Sequence, residues 1–301
     1  MTDNLNFLNS YLAEKKTIVD KALDQYLPGE DHFPEIIFQS VRYSVFAGGK
    51  RLRPILCLAA AEAVGGNPSA LLPVACALEM IHTYSLIHDD LPVMDDDDYR
   101  RGRLTNHRVF GEDIAVLAGD ALLTEAFHLL SGEDAAGKFP PERLLQAIRE
   151  ISWSAGLFGM VGGQVADIQS EGKSADRQTL EYIHLHKTGE MIKVSVVAGA
   201  LLAGAEEKNV EALAGFGKNI GLAFQITDDI LDIEGDKDAL GKATGQDAAL
   251  KKMTYPALMG LDQAKEKAQQ YLGAALKDLE NFDGRAEPLR LIAKFIVERT
   301  V

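Results

Sequence analysis

Apolar residues recur every three or four positions through most of this chain, the spacing that places them on one face of an α-helix. In residues 35–47, Ile36, Ile37, Val41 and Val45 form such a stripe. No run alternates apolar and polar residues between hairpin turns, so the pattern requires no strands. The spacing predicts helices over residues 11–23, 35–47, 53–64, 70–90, 112–130, 141–155, 177–185, 189–203, 207–232, 255–281 and 287–299.

Glycine and proline separate these helices. The breakers are Gly48-Gly49, Gly65-Gly66-Asn67-Pro68, Pro140-Pro141, Gly235 and Gly241. The chain has no repeat of fixed period, no low-complexity tract and no linker long enough to divide it. We therefore expect one all-α domain over residues 1–301, built from about ten helices.

Composition narrows the class of protein further. Of 301 residues, 47% are hydrophobic and 25% charged, which is typical of a globular protein and excludes a disordered or collagen-like chain. The formal net charge of −14 argues against nucleic acid and anionic membranes as general partners. The longest uncharged stretches, 63–78 and 151–166, fall short of the ~20 apolar residues of a spanning helix. We expect a cytoplasmic protein without stable membrane association.

The two cysteines, Cys57 and Cys76, lie in apolar helical runs. Buried, reduced thiols are the usual state of such residues, and two cysteines cannot form a disulfide scaffold for a chain of this length. We expect no role for either thiol in catalysis.

The densest polar feature is the segment HDDLPVMDDDDYRRGR, from His88 to Arg103, in which six aspartates fall between Asp89 and Asp98. Pro92 lacks an N–H and should end the preceding helix, turning Asp95 back toward Asp89. An acidic run is often only a solvated surface. Here three arginines follow directly, a combination suited to binding divalent cations and then anionic oxygens.

A second acidic cluster lies in FQITDDILD, where Asp228 and Asp232 are four residues apart and share a helix face. The alternative is an exposed acidic face, but Phe224 and Leu231 beside the cluster suit a core. Two aspartate clusters, each on an apolar helix, fit one shared metal cage. Aspartate oxygens without paired His or Cys favour Mg²⁺ over Zn²⁺.

Basic residues to bind a phosphate are also present. In GGKRLRP, Gly48-Gly49 allows close backbone approach, and Lys50 and Arg53 can face one oxyanion together. This segment is not a P-loop, since it lacks the GxxxxGK[ST] spacing and a preceding strand. Taken singly, any of these bases is an ordinary surface charge.

Together these segments resemble a known family. GGKRLRP, HDDLPVMDDDDYRRG, HKTG, FQITDDILD and LGKATGQD are similar to the signature segments of trans-isoprenyl diphosphate synthases, in order from about residue 37 to 260. The DDxxxxD spacing followed by two arginines and a glycine resembles bacterial farnesyl diphosphate synthases in particular. The resemblance implies a helical bundle around a central cavity, a homodimer, and Mg²⁺-dependent elongation of an allylic diphosphate by isopentenyl diphosphate. About three Mg²⁺ ions per site are implied, for which Mn²⁺ can substitute.

Carried over position by position, the resemblance also implies roles for individual residues. Asp89, Asp95 and Asp228 would bind Mg²⁺, with Asp229 and Asp232 in support. The residues that would hold isopentenyl diphosphate are Gly49, Lys50, Arg53, His82 and Arg101. Those for the allylic diphosphate are Arg100, Lys187, Thr188, Gln225 and Lys242. Lys187, Thr188 and Gln225 would form the catalytic set beside the allylic carbon, where positive charge develops.

The resemblance assigns control of product length to side chains on the helix that precedes Asp89. Tyr84 and Ser85 lie five and four residues before it. One isoprene unit is about as long as one helical turn, ~5 Å, so a bulky side chain there can stop growth. The alternative interpretation is that Tyr84 is simply an aromatic residue of the core. Its presence, with the two extra residues in DDLPVMD, is what the resemblance associates with a C15 product.

The chain departs from the family pattern RGxPTCH at Leu104 and Asn106, which we expect to alter local packing but not the chemistry. The C-terminal IVERTV lacks a basic tail, and we assign it no substrate contact.

Other functions remain open on the sequence alone. A geranylgeranyl or other chain-length synthase would share every motif. A class I terpene cyclase would also use DDxxD and Mg²⁺, but would leave Lys50, Arg53 and His82 without a role. A metal-dependent hydrolase would need histidines at a spacing that His82, His107, His184 and His186 do not provide. A Ca²⁺-binding helical protein would need the glycine and terminal glutamate of an EF-hand loop.

Overall fold

A computed structural model describes residues 2–173, 176–234 and 253–298. Within these ranges fifteen α-helices are joined by short connections. They are α1 Thr2–Tyr26, α2 Glu35–Val45, α3 Leu52–Ala63, α4 Leu72–Asp89, α5 Asn106–Phe110, α6 Glu112–Ser131, α7 Glu133–Ala136, α8 Pro141–Ala155, α9 Met160–Ser170, α10 Arg177–Ile183, α11 Glu190–Leu202, α12 Glu207–Glu234, α13 Tyr255–Met259, α14 Leu261–Asp278 and α15 Glu287–Glu298. Short 3₁₀ turns cover Pro68–Leu71 and Gly284–Ala286, and a π-helical turn covers His184–Gly189. The all-α fold class is confirmed.

Helix α11 lies at the centre of the structure and is buried on all sides, with every residue except Lys193 in the core. It packs against α3, α8 and α12. A Cβ atom at Gly199 would lie 2.1 Å from the carbonyl oxygen of Cys57, so the α3–α11 contact requires glycine. A helix that is apolar all round is suited to such a position.

Helix α4 is the second core helix, and it carries the first aspartate cluster at its carboxyl end. Its residues from Pro73 to Ile81 are all buried, and α4 packs against α3 and α6. Burial in a close-packed interior fixes where Asp89 and the residues after it emerge from the core.

One small β-hairpin departs from the prediction that strands are not required. Strands β1, Tyr99–Arg100, and β2, Arg103–Leu104, pair antiparallel with Tyr99 opposite Leu104. Arg101 and Gly102 form the turn at φ of 53° and 75°, the left-handed conformation that two-residue hairpins favour. Two residues per strand are too few for an alternating pattern to show.

Helix positions also differ from the prediction in several places, among them the short helices α5 and α7, which the pattern does not predict. Helix α1 begins at Thr2 instead of residue 11. The single helix expected over 255–281 is two helices, because Gly260 adopts a φ of 84° between α13 and α14. Helix α9 was not predicted, since Gly162 and Gly163 interrupt its apolar pattern.

Two further sequence-based expectations can be compared with the structure. Cys57 and Cys76 are buried free thiols, as predicted. Two helical stretches, Pro68–Asp89 and Glu112–Ala136, are long and apolar enough to span a membrane, although no such length was expected. Length and composition do not distinguish them from core helices, and 72% of the apolar window in the first is buried inside the protein.

Candidate active site

A cleft of about 1350 Å³ brings together most of the residues that the sequence singled out. It lies among the amino end of α3, the carboxyl half of α4, α9, the π-helical turn and α12. The predicted site residues that line it are Gly49, Lys50, Arg53, His82, Tyr84, Ser85, Asp89, Asp95, Arg100, Arg101, Lys187, Thr188, Gln225 and Asp228. Lys242 lies outside the described residues.

The carboxyl end of α4 forms the first acidic wall. The helix ends at Asp89, and the backbone N–H of Asp95 donates to the carbonyl oxygen of Asp89 at 2.9 Å. The chain therefore turns back at Pro92, as its missing N–H predicts, and brings the two aspartates together.

Asp89 occupies an environment that disfavours its negative charge. Burial raises the pKa of its carboxyl to about 6, and repulsion from Asp95 adds to this, while Lys187 and Arg100 act in the opposite direction. A buried carboxylate that is costly to ionise gains from a nearby bound cation, which favours its charged form.

Helix α12 forms the second wall, with Asp228, Gln225 and Phe224 lining the cleft. Asp229 points elsewhere: its Oδ2 accepts the backbone N–H of Tyr255 at 2.9 Å and lies 3.5 Å from Nε2 of His184. Asp229 thus ties α12 to α13 and to the π-helical turn. The expectation that Asp229 supports Asp228 stays a prediction. Asp232 is not among the cleft-lining residues of the described chain.

The π-helical turn His184–Gly189 carries Lys187 and Thr188 into the cleft. Lys187 Nζ donates to Oδ2 of Asp167 at 2.6 Å, and the Thr188 hydroxyl donates to Oε1 of Gln225. A Cβ at Gly163 would lie 2.2 Å from the backbone nitrogen of Lys187, so α9 approaches this turn only because residue 163 is glycine. Single π-turns within helices frequently mark functional positions.

The loop before α3 places bases at the cleft rim. Gly48 and Gly49 adopt φ of 100° and 122°, and an Arg101 guanidinium nitrogen donates to the carbonyl oxygen of Gly48. A Cβ at Gly49 would lie 2.6 Å from this guanidinium. Gly49 therefore admits Arg101 to the cleft that Lys50 also lines. The Lys50 ammonium lies 6.0 Å from the Phe295 ring centroid.

Arg53 and His82 lie deeper in the cleft. Burial lowers the pKa of Arg53 to about 10, still above physiological pH. Burial, followed by repulsion from Arg53, Arg101 and Arg100, lowers the pKa of His82 well below its usual value. His82 is therefore neutral at pH 7, and can offer an anion a hydrogen bond but no charge.

Arg100 is more constrained than its assignment to the allylic diphosphate implies. Its guanidinium donates to Oδ1 of Asp90 at 2.5 Å and to Oδ2 of Asp97 at 3.3 Å. Since Asp90 is 3% exposed, this pair is shielded from water and fixes Arg100 along the cleft wall.

The apolar end of the cleft contains Tyr84, which is 6% exposed. Its ring meets that of His88 edge-on at 5.7 Å, and His88 Nε2 lies 3.0 Å from the carbonyl oxygen of Val116 on α6. A Cβ at Gly119 would collide with His88, so α6 packs directly against this histidine. Ser85 donates to the carbonyl oxygen of His82 at 2.9 Å.

The donor set fits an oxygen-ligated divalent cation. No three His, Cys, Asp or Glu side chains in the described ranges lie close enough together to hold an ion by themselves. Asp89, Asp95 and Asp228 instead reach one cleft from two helices. Mg²⁺ commonly takes one or two carboxylates and completes its shell with water and phosphate oxygens.

Sequence reasoning did not identify Asp167 and Glu79. Asp167 pairs with Lys187, and Glu79 is buried on α4 and lines the cleft. Glu79 precedes His82 by one helical turn, a signal that could have been used, whereas the Asp167 pairing depends on a helix that the periodicity did not predict.

Asn106, one of the two departures from the family pattern, takes part in local packing. Its side chain is buried, accepts from the Ser40 hydroxyl at 2.9 Å and donates to the Ser44 hydroxyl at 2.7 Å. It fastens the segment after the hairpin to α2. Leu104 lies on strand β2 and is 41% exposed.

Known proteins share both this sequence and this fold. The family model for polyprenyl synthetase matches residues 34–288. A geranylgeranyl diphosphate synthase from Cyanophora paradoxa is 48% identical, covering 98% of this chain and 97% of the relative. A farnesyl diphosphate synthase from Geobacillus stearothermophilus is also 48% identical, covering 97% and 98% respectively. The crystal structure of an FPP/GFPP synthase from Zymomonas mobilis superposes with a TM-score of 0.85 at 35% identity, covering 98% of this chain and 99% of that one. The chain belongs to the polyprenyl synthetase family of prenyltransferases.

Proposed function

We propose that this prenyltransferase is a farnesyl diphosphate synthase, which condenses isopentenyl diphosphate with dimethylallyl or geranyl diphosphate and stops at C15. The observation that carries the chain length is the placement of Tyr84, buried at the apolar end of the cleft five residues before Asp89. Five residues span ~7.5 Å of helix, so a phenol ring there limits the room for a growing tail. The whole of residues 1–301 would form one catalytic domain.

The alternative is a geranylgeranyl synthase. It stays open because relatives with this name and with the farnesyl name match at the same 48% identity. Overall identity therefore gives no preference, and the product length depends on the apolar end of the cleft around Tyr84.

We propose that Asp89, Asp95 and Asp228 hold Mg²⁺, with about three ions per site and Mn²⁺ as a substitute. When bound, such ions neutralise the diphosphate leaving group and so lower the barrier to an allylic cation. The raised pKa of Asp89 supports this assignment, since a bound cation would relieve the repulsion between these carboxylates.

The bases would divide between the two substrates. Those that would bind isopentenyl diphosphate all line the cleft: Gly49, Lys50, Arg53, His82 and Arg101. Arg100, Lys187 and Lys242 would bind the allylic diphosphate. Gln225 accepts a hydrogen bond from the Thr188 hydroxyl. The oxygens of these two side chains would face the carbon on which positive charge develops.

The chain's own contribution to the reaction is positioning and exclusion of water. As the allylic C–O bond breaks, the double bond of isopentenyl diphosphate attacks the allylic carbon, a C–C bond forms, and a proton leaves to the released diphosphate. Holding the two substrates in line can contribute on the order of 7–11 kcal/mol. The apolar end of the cleft would protect the cation from water.

We also propose a cytoplasmic homodimer, assembled through α6, α8 and the turn after α8. Apolar side chains are exposed along this face: Leu117, Leu145, Trp153, Leu157 and Phe158 are between 52% and 78% exposed. Trp153 and Phe158 stack with ring centroids 4.3 Å apart. Several large apolar side chains exposed in this way are typical of an oligomer interface. Light scattering on the wild type and on Trp153→Glu tests this, with a dimer and a monomer expected, and a wild-type monomer contradicting it.

The chain length is tested by chromatography of the dephosphorylated products of the wild-type protein, supplied with Mg²⁺, isopentenyl diphosphate and geranyl diphosphate. We expect farnesol as the main product. A main product of C20 or longer would overturn the chain length while leaving the prenyl transfer in place.

A further inference from the structure

Arg51 lies between two proposed diphosphate ligands, Lys50 and Arg53, but has no part in the proposed chemistry. Its backbone adopts φ 52° and ψ 37°, a left-handed conformation that residues with side chains rarely occupy. This conformation turns the Arg51 side chain into the protein, where it is 1% exposed. A strained backbone of this kind persists only where surrounding contacts hold it.

Three contacts hold the Arg51 guanidinium. Nε donates to Oδ1 of Asp20 on α1 at 2.7 Å, Nη1 to Oε1 of Glu79 on α4 at 2.8 Å, and Nη2 to the carbonyl oxygen of Val45 at the end of α2 at 2.7 Å. One side chain thereby joins three helices to the loop. Only arginine has a rigid, planar set of donors that can make these contacts together.

Glu79 is the buried anion of this arrangement, also 1% exposed. Its second oxygen, Oε2, and Nε of Arg53 are both buried without a hydrogen-bond partner in the described structure. Glu79 raises the pKa of Arg51, Arg53 and Arg101, opposing the effect of burial on each. The negative charge of Glu79 thus stabilises the charged forms of these three arginines, which would otherwise repel one another.

We propose that the buried Arg51–Glu79 ion pair positions the isopentenyl diphosphate ligands. Arg51 fixes the loop so that Lys50 and Arg53 face the cleft, and Glu79 offsets the repulsion within the arginine cluster. Neither residue contacts the substrate, so both are positioning residues. The inference rests on the proposed use of isopentenyl diphosphate.

The test separates positioning from simple stability. Arg51→Met or Glu79→Met alone leaves a buried charge unpaired and should lower the melting temperature, whereas the double variant Arg51→Met/Glu79→Met removes both charges and should regain most of it. In the double variant we expect KM for isopentenyl diphosphate to rise about tenfold or more, with KM for geranyl diphosphate within about twofold.

A matched control is Arg290→Met. Arg290 caps the carbonyl oxygens of Leu279 and Phe282 at 2.8 and 2.7 Å and is not among the cleft-lining residues. The Arg290→Met variant should lower the melting temperature and leave KM unchanged for both isopentenyl and geranyl diphosphate. Arg51→Lys keeps the charge but not the planar donors, so it should fold and still raise KM for isopentenyl diphosphate about threefold.

A double variant with wild-type stability and wild-type KM for isopentenyl diphosphate would overturn the proposal. Equal rises in both KM values, or an unchanged KM in Arg51→Lys, would do the same. A wild-type protein that makes no product dependent on isopentenyl diphosphate would instead contradict the proposed function itself.

Discussion

Lys187 Nζ lies 2.6 Å from Oδ2 of Asp167, which joins the π-helical turn to α9 beside the cleft. The two side chains are 24% and 11% exposed, so this ion pair is largely shielded from water. Lys187 also acts on Asp89, since its charge partly offsets the rise in the pKa of that carboxyl. The ammonium is therefore paired with Asp167 and near enough to Asp89 to affect its ionisation, in the cleft where we propose that the allylic diphosphate binds.

Lys187→Met should lower kcat/KM for the allylic diphosphate by about a hundredfold, because it removes the charge on the leaving group's side of the cleft. Asp167→Asn should cost only about three- to tenfold, since an amide oxygen still accepts the hydrogen bond and the charge on Lys187 remains. Steady-state kinetics with each substrate varied in turn measures both effects. A loss confined to KM for isopentenyl diphosphate would contradict the assignment.

Asp89→Asn should make the metal-free protein more stable at neutral pH while abolishing most activity. The pKa of Asp89 is about 6 in the folded protein and ~3.9 in an unfolded chain. Above pH 6 the carboxyl is ionised in both states, and its charge destabilises the folded protein. Below pH 4 the carboxyl is protonated in the folded protein and this destabilisation is absent. The variant should therefore gain about 1–2 kcal/mol of unfolding free energy at pH 7.5, and nothing near pH 4.

Denaturant unfolding in the presence of a chelator, at pH 7.5 and near pH 4, measures this difference in unfolding free energy. Glu211→Gln, which alters an exposed carboxylate on α12 outside the proposed subunit interface, is the control and should change neither value. Equal stability of Asp89→Asn and the wild type at pH 7.5 would show that burial does not disfavour the Asp89 charge.

Lys50→Ala should raise KM for isopentenyl diphosphate about tenfold or more and leave KM for geranyl diphosphate nearly unchanged, because it deletes a charged contact to one diphosphate and leaves the carboxylate walls intact. Lys208→Ala, at a lysine whose side chain is 76% exposed, serves as the control for loss of surface charge. Arg53→Ala should follow the same pattern, with an added loss of stability since Nε of Arg53 is buried. Equal effects on both substrates would show that the division of the bases is wrong.

Tyr84→Ala should lengthen the product to C20 or beyond, because it removes the ring that closes the apolar end of the cleft. Tyr84→Phe keeps the ring and should still give C15. Chromatography of the dephosphorylated products compares the two with the wild type. An unchanged C15 product from Tyr84→Ala would remove this residue from control of chain length.

The parts of this structure that follow from short-range chemistry could be predicted from the sequence. Pro92 cannot continue α4, so the turn that brings Asp95 to Asp89 is encoded within seven residues. The apolar character of α4 and α11 likewise predicts burial, and both helices lie in the core.

Features that depend on contacts between distant segments could not be predicted. Glycine at 163 weakens the helical pattern of α9, but the reason for glycine there is the approach of Lys187, 24 positions along the chain. Arg51 reads as one more basic residue in GGKRLRP, and only the fold turns it inward onto Asp20 and Glu79. The pairing of Arg100 with Asp90 depends in the same way on the hairpin that follows the acidic segment.

The central claim, transfer of a prenyl group between two diphosphate substrates, is tested most directly by the substrate dependence of diphosphate release. With Mg²⁺ present, we expect release only when isopentenyl diphosphate and geranyl diphosphate are supplied together, in step with formation of the longer prenyl diphosphate. Release at a comparable rate from geranyl diphosphate alone would contradict the claim, because that is the behaviour of a cyclase or a hydrolase.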